Sequence, residues 1–344
     1  MLRVIKISLA PVNTMSEFKS KNLILFTGAG FTKNFGGFLA DEMWAHIYNH
    51  PLIQSTPQLK KVLNEDFDFE SAYSSVMEDV SITPEDKERM SSAVLEAYRR
   101  LDFAIKDWNF NTGSPHPVNW YGLNNLIQLF VGRGQETGLF FTLNQDLFME
   151  RRSGFSPPGV PRFKDDFYHH HSLELKPEEF ITLPSTDAVA RFEKGIEGQS
   201  GLVYIKLHGS YGWKSSSGSS QLVIGKNKTT AIADEPLLKR YFELFESVIR
   251  EGNKKMLILG YGFHDKHINQ ILLEGVQNHG LKIFIMSTRS PRDFKENLRN
   301  GHYYAMPIWD GLSGYFPQPL KEIFPGNQQQ TVHFDVIRKA LESS

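Results

Sequence analysis

The chain has 344 residues, 40% hydrophobic and 22% charged. That is the balance of a folded globular protein with room for a sizeable core, not of a disordered or fibrous one. Its 38 basic and 39 acidic residues nearly cancel, so no overall electrostatic footprint for nucleic acid or an anionic membrane surface is present, while local patches stay open. There is no cysteine, which excludes disulfides and removes the usual thiolate ligands of a structural zinc site.

The opening MLRVIKISLAPVNTM is too short and too often interrupted by polar residues to span a bilayer, and no apolar run of about eighteen residues follows it. A cytoplasmic protein is expected, with no membrane partner. Met15 is an alternative start, because SEFKSKN leads directly into the first strand. That strand is NLILFT at 22–27, and residues 1–21 form an N-terminal extension. Further apolar runs follow: GLFFTLN at 138–144, GLVYIKLHG at 201–209, KMLILGYG at 255–262 and LKIFIMST at 281–288. Runs without polar alternation suit strands covered on both faces, and helical patterns between them favour crossover helices. The expected fold is α/β, a doubly wound Rossmann-like parallel sheet with a helical insertion and no zinc module.

About a hundred residues separate the first two runs, far more than one crossover helix requires. A helical insertion over about 45–125 is expected. Its clearest element starts at Thr83-Pro84-Glu85-Asp86, where a hydroxyl cap, a proline at the first helical position and acidic first-turn residues agree. Met90, Val94, Tyr98, Leu101 and Ile105 then mark one stripe of a long helix. Core packing is the first reading of that stripe, and a helix-helix or subunit contact the second. Residues 151–200 are rich in proline, glycine and charge and read as an irregular insertion. SSSGSS at 215–220 reads as a loop tip joining two small strands, and 313–344 as a C-terminal helical tail.

Chemistry-bearing residues cluster at strand ends. Gly28-Ala29-Gly30-Phe31-Thr32 follows the first strand, where glycines let a backbone approach a phosphate at a helix N-terminus. A tight strand-to-helix turn would also use them, and Lys33 breaks the full G-x-G-x-x-G spacing, which disfavours a standard dehydrogenase. Thr142-Leu143-Asn144-Gln145-Asp146 ends the second strand, placing an amide and a carboxylate two residues apart at the ligand crevice of a doubly wound sheet. A helix cap is the other reading. Lys206-Leu207-His208-Gly209-Ser210 sets an imidazole, a base near neutral pH, beside a glycine; a structural histidine is the alternative. Leu259-Gly260-Tyr261-Gly262-Phe263-His264-Asp265, with Ile268-Asn269 beyond it, offers a second glycine turn for a phosphate or ribose, or simply a tight turn.

Taken in order, Gly-Ala-Gly-Phe-Thr, Thr-x-Asn-x-Asp, Leu-His-Gly and a late Gly-x-Gly resemble the sirtuin family. The variant resembled is the divergent prokaryotic sirtuin-like domain, over roughly residues 22–312, with FTGAGFTKNFGGFLADEMW and LGYGFHDKHIN in place of the deacylase versions. The deacylase segment Ile-Pro-Asp-Phe-Arg is absent, with Asn34-Phe35-Gly36-Gly37-Phe38 standing there, and so are the four zinc-binding cysteines. The resemblance therefore implies the branch that hydrolyses NAD in anti-phage systems, with NAD as substrate and no zinc. Nicotinamide in NAD is already a pyridinium, so it departs neutral and needs no general acid, while the sugar develops oxocarbenium character. The roles implied are Asn144 to orient water or the nicotinamide ribose, Asp146 to hold the carboxamide, and His208 as general base.

Gly28, Ala29, Gly30, Phe31 and Thr32, with Gly209, are expected at the pyrophosphate and nicotinamide ribose. Gly260, Gly262, Phe263 and Ser287 are expected on the adenosine half. Both Asn144 and His208 are expected in a water-lined cleft. His169-His170-His171 lacks ligand spacing for a metal and reads as a solvated loop. Glu174, Glu178 and Glu179 read as charged surface, and Trp309-Asp310 either closes over adenine or packs in the body. The resemblance also implies control by assembly: a homo-oligomer, a HerA-type ATPase or an Argonaute-like partner. A deacylase, an ADP-ribosyltransferase and a non-catalytic sensor of NAD-derived nucleotides are the rival classes, since fold alone cannot choose.

Overall fold

A computed structural model describes residues 19–106, 117–161, 174–190, 201–215, 218–301, 305–327 and 329–343. Among the described residues nine strands run in chain order: β1 (Lys19–Thr27), β2 (Glu136–Thr142), β3 (Ile181–Thr182), β4 (Gly201–Lys206), β5 (Gly209–Lys214), β6 (Ser220–Leu222), β7 (Lys255–Leu259), β8 (Lys282–Met286) and β9 (Leu312–Phe316). Six of them form one sheet in the order β4-β2-β1-β7-β8-β9, and every neighbouring pair in it is parallel. Counting only those six, this is the order 3-2-1-4-5-6 of a doubly wound Rossmann-like sheet, whose direction of winding reverses between β1 and β7. β3, β5 and β6 make a separate small sheet.

Alternate residues of each central strand feed opposite faces, which explains why the runs lack polar alternation. Leu25, Phe140, Leu257 and Phe284 enter one hydrophobic cluster. Ile24, Phe26, Leu139, Phe141, Met256, Ile258, Ile283 and Ile285 enter the other.

Between β1 and β2 lie helices Ala40–Tyr48, Pro51–Gln54, Pro57–Glu65, Phe69–Glu78, Pro84–Lys106 and Trp120–Gln128. The Thr83 hydroxyl accepts from the Asp86 amide at 3.1 Å, satisfying one of the free N–H groups of that helix end. Met90, Val94, Tyr98, Leu101 and Ile105 are all buried in the first cluster, each contributing roughly 1.5–3 kcal/mol of apolar burial. That stripe is core, so it leaves no apolar face of its own for a subunit contact. Two buried polar ties fasten the same helix to the sheet. Arg151, on the helix Phe148–Ser153 after β2, forks onto Asp102 at 2.8 and 2.5 Å, and the Tyr98 hydroxyl donates to Gln145 Oε1.

Several boundaries differ from the sequence reading. β1 begins at Lys19, inside the segment assigned to an extension. The run at 201–209 does not continue as one strand. It stops at Lys206, turns through Leu207 and His208, and restarts as β5 at Gly209, whose φ of 72° is open to glycine at little strain. The segment read as a helical tail opens with β9, which pairs with β8 before the helices Leu320–Ile323 and Val332–Glu342. β5 and β6 pair antiparallel, as expected for two small strands on either side of the serine-rich segment. His169, His170 and His171 lie outside the described residues. No helix among the described residues is long and apolar enough to cross a membrane.

Candidate active site

All four motifs fall at carboxyl ends of parallel strands: Gly28–Gly30 after β1, Asn144–Asp146 after β2, His208 after β4 and Gly260–Gly262 after β7. This is the edge at which an open α/β sheet binds its ligand.

The two glycine turns meet. Gly28 N donates to Leu259 O at 3.0 Å and Gly30 N to Gly260 O at 2.9 Å. A Cβ on Gly28 would lie 2.9 Å from Gly260 O, and one on Gly30 2.8 Å from Gly260 Cα. Close contact between the two backbones therefore already accounts for glycine at 28, 30 and 260. Ala29 is exposed on this turn. Phe31 and Phe263 are buried and their rings enter the two hydrophobic clusters. Phe263 adopts a φ of 60°.

Thr32 is the junction of the first two motifs. Its buried hydroxyl donates to Ala29 O at 3.3 Å and accepts from Asn144 Nδ2 at 3.4 Å. Thr32 also favours the ionised Asp146 carboxyl, against the larger effect of burial. Asn144 N is held by Thr142 Oγ1 at 3.0 Å, and Thr142 in turn pairs with Thr27 at 2.8 Å. Asn144 is 8% exposed, and its Oδ1 has no hydrogen-bond partner among the described residues. Because a buried acceptor left unpaired is costly, an oxygen in this state marks a place for an incoming donor.

Asp146 Oδ1 accepts from Phe148 N at 2.9 Å, which caps the following turn. Burial pushes its carboxyl above the usual carboxylate range against the pull of Lys206. Lys206, fully buried, donates to the Asp146 carbonyl and pairs with Glu150 at 2.8 Å. Gln145, between the two proposed site residues, donates to the carbonyls of His208 at 2.7 Å and Val223 at 3.1 Å.

His208 is 4% exposed, so neither it nor Asn144 sits in the water-lined cleft anticipated from sequence. Its Nε2 lies 3.0 Å from Nε2 of His267. Burial holds the His208 imidazole well below its ordinary value and pushes that of His267 down to about 4. Asp265 joins them: one ligand atom from each of His208, Asp265 and His267 lies within 4.8 Å of the others. Such a set has the donor chemistry of a divalent cation site. Here, however, a cation of the protein already holds the carboxylate, since Lys228 Nζ lies 2.6 Å from Asp265 and 2.7 Å from Glu70. Burial works against charge on Asp265, yet the imidazoles and Lys228 keep its carboxyl well below the usual range.

Gly209 starts β5 beside His208, and Gly262 approaches the His264 ring, which a Cβ would meet at 2.5 Å. Ser287 follows β8, one strand beyond β7, with its hydroxyl accepting from Arg289 N at 3.2 Å. It is not drawn into the Thr32, Asn144 and His208 group by any bond given among the described residues. Trp309 packs on Phe294 and Tyr315 at 5.8 and 5.6 Å between ring centroids. Glu174 pairs with Arg99 at the surface. Sequence reading gave no role to Glu70, Lys228 or His267. Glu70 lies in the helical insertion and Lys228 after the small sheet, so no local pattern links them to His208.

The strand order, with polar residues gathered at its switch point, defines a doubly wound α/β fold of the Rossmann-like kind. Residues 138–304, just under half of the chain, match the family model described as a SIR2-like domain, and that stretch is similar to a divergent sirtuin-like domain. The match starts within β2, after the first glycine turn. A solved structure described as "Structural Basis for the Mechanism and Regulation of Sir2 Enzymes" aligns with 93% of this chain and 95% of its own, at 14% identity and a TM-score of 0.35. The sheet order, not that distant likeness, defines the fold. No curated protein matches the chain. With no cysteine, a cysteine-ligated zinc module is excluded.

Proposed function

We propose that this chain is an NAD hydrolase that cleaves the nicotinamide-ribose bond, giving nicotinamide and ADP-ribose. The observation that carries the reading is the buried, unpartnered Asn144 Oδ1, held beside the Thr32 hydroxyl at the strand ends that also present His208. The residues present fit such a substrate. Asn144 Oδ1 accepts from the attacking water or a ribose hydroxyl, and the neutral His208 imidazole takes up the proton that the water loses. Near-complete burial of both groups keeps other nucleophiles away from a sugar that gains oxocarbenium character.

Asp146 has one carboxyl oxygen committed to Phe148 N, and its other oxygen faces the carboxamide. Backbone groups of the paired glycine turns, Gly28 to Thr32 and Gly260 to Phe263, contact the phosphates and riboses. Gly209 contributes beside His208, and Ser287 at the adenosine end. The SIR2-like domain and the sequence resemblance support NAD as the substrate. By the same resemblance the reaction serves anti-phage defence through NAD depletion in the cytoplasm. Control is by self-assembly or a partner, a HerA-type ATPase before an Argonaute-like protein.

Purified chain incubated with NAD should release nicotinamide and ADP-ribose in equal amounts, without an acyl-lysine peptide. Turnover that requires such a peptide would make the chain a deacylase. Transfer of ADP-ribose to added protein would make it a transferase, and binding without cleavage a sensor.

A further inference from the structure

We propose that His267 is a positioning residue for His208 and relays away the proton that His208 receives. The inference deepens the hydrolytic reading above and rests on it. His208 lies in the turn between β4 and β5, with its carbonyl clamped by Gln145 Nε2 at 2.7 Å and Val223 N at 3.1 Å. Its backbone is thereby fixed, and the ring is left to be oriented by what it meets. What it meets is His267, with Nε2 to Nε2 at 3.0 Å and ring centroids 5.1 Å apart at 33°.

His267 is in the first turn of the helix Lys266–Asn278 and is half-buried, whereas His208 is almost wholly covered. The pair therefore leads outward from the buried base. The Phe242 ring lies 5.7 Å from that of His267. Asp265 stands beside both imidazoles, and Lys228 and Glu70 continue the chain of charge behind it.

Burial keeps both imidazoles neutral near neutral pH, so two nitrogens at this distance share one N–H: one ring donates and the other accepts. That bond sets the tautomer of His208. A divalent cation between the same nitrogens is the competing account. It would place two further positive charges beside the Lys228 ammonium, which already pairs with both Asp265 and Glu70.

The proton balance of the reaction supports a relay. Water adds to the anomeric carbon while the carbon–nitrogen pair of electrons leaves with nicotinamide and neutralises its ring, so one proton is released. The His208 nitrogen not facing His267 takes that proton from the water. Nε2 of His208 passes its own proton to Nε2 of His267, and the other ring nitrogen of His267 gives a proton to solvent. The positive charge in transit is stabilised by ionised Asp265.

The test uses the full chain with histidine nitrogens isotopically labelled, as wild type and as His267→Ala and His267→Gln. In wild type the His208 Nε2 signal should show a hydrogen-bonded imidazole, and His267→Ala should shift it. The kcat for nicotinamide release should fall about 10- to 100-fold in both variants, with KM within about threefold. Free imidazole should restore part of the loss in His267→Ala. Wild-type kcat in either folded variant, a loss confined to KM, or an unchanged His208 signal would overturn the proposal. So would a stoichiometric divalent metal that copurifies with wild type and is lost from His267→Ala. If wild type releases no nicotinamide, the hydrolytic reading and the relay fall together, while the nitrogen signals still decide whether His267 positions His208.

Discussion

The amide of Gly30 donates to the carbonyl of Gly260 at 2.9 Å, so the turns after β1 and β7 are bonded to each other where the winding of the sheet reverses. A Cβ on Gly260 would lie 2.3 Å from Phe31 N, and Gly260 has a φ of 64°. Gly134 shares that φ of 64° but has nothing within 4 Å of its Cβ position.

The two positions separate strain from collision. Gly134→Ala should cost about 1 kcal/mol for the left-handed backbone alone. Gly260→Ala should cost roughly 3 kcal/mol or more, because a neighbouring backbone must also move. Urea unfolding of both variants provides the comparison, and equal losses would refute a role for the contact between the turns.

Asn144→Ala and His208→Gln should each lower nicotinamide release at least about 100-fold. Stability should respond little to the first change, within about 1 kcal/mol, because it deletes an acceptor that has no partner and a single long bond to Thr32. Parallel assays of turnover and urea midpoint settle the matter, with near-normal turnover in either variant counting against the assignment.

Tyr98→Phe should couple the helical insertion to the site. The Tyr98 hydroxyl is the donor to Gln145 Oε1, and the amide of Gln145 holds the His208 carbonyl. Removing the hydroxyl leaves a buried acceptor unpaired, at about 1–3 kcal/mol, and loosens the segment that carries His208. Both the unfolding free energy and kcat should drop. A variant that loses stability and keeps full kcat would show the tie to be structural alone.

Stability should fall as the solution is acidified from pH 7. His267 is pushed down to about 4 in the folded chain from an ordinary value of 6.5, and burial holds His208 well below its ordinary value too. Between those values the unfolded chain binds protons that the folded chain does not, so stability rises with pH across that window and is lost as pH drops below about 6.5. The His267 shift alone amounts to up to about 3 kcal/mol at the acid end. Urea unfolding at pH 7 and pH 5 should show a smaller stability advantage of wild type over His267→Gln at the lower pH, and an advantage equal at both would contradict burial of a neutral His267.

Much of the architecture is written locally. Apolar runs without alternation encode strands covered on both faces, and a hydroxyl, a proline and two acids encode the start of the helix Pro84–Lys106. The absence of cysteine excludes a thiolate zinc module, and the order of four motifs places each at a strand end. These features depend on neighbours a few positions apart, which is the range over which periodicity and capping act.

Tertiary structure decides the rest, because the partners are remote in sequence. Thr32 reaches Asn144 across 112 positions, and His208 reaches His267 across 59. Gly28 and Gly260 look like two separate phosphate turns until the parallel pairing of β1 with β7 brings them into contact. Glu70 and Lys228 carry no local sign of their place behind Asp265. Side-chain period and turn chemistry specify how a segment folds, but the charge and hydrogen bonds that a side chain meets depend on which distant segments the sheet order lays beside it.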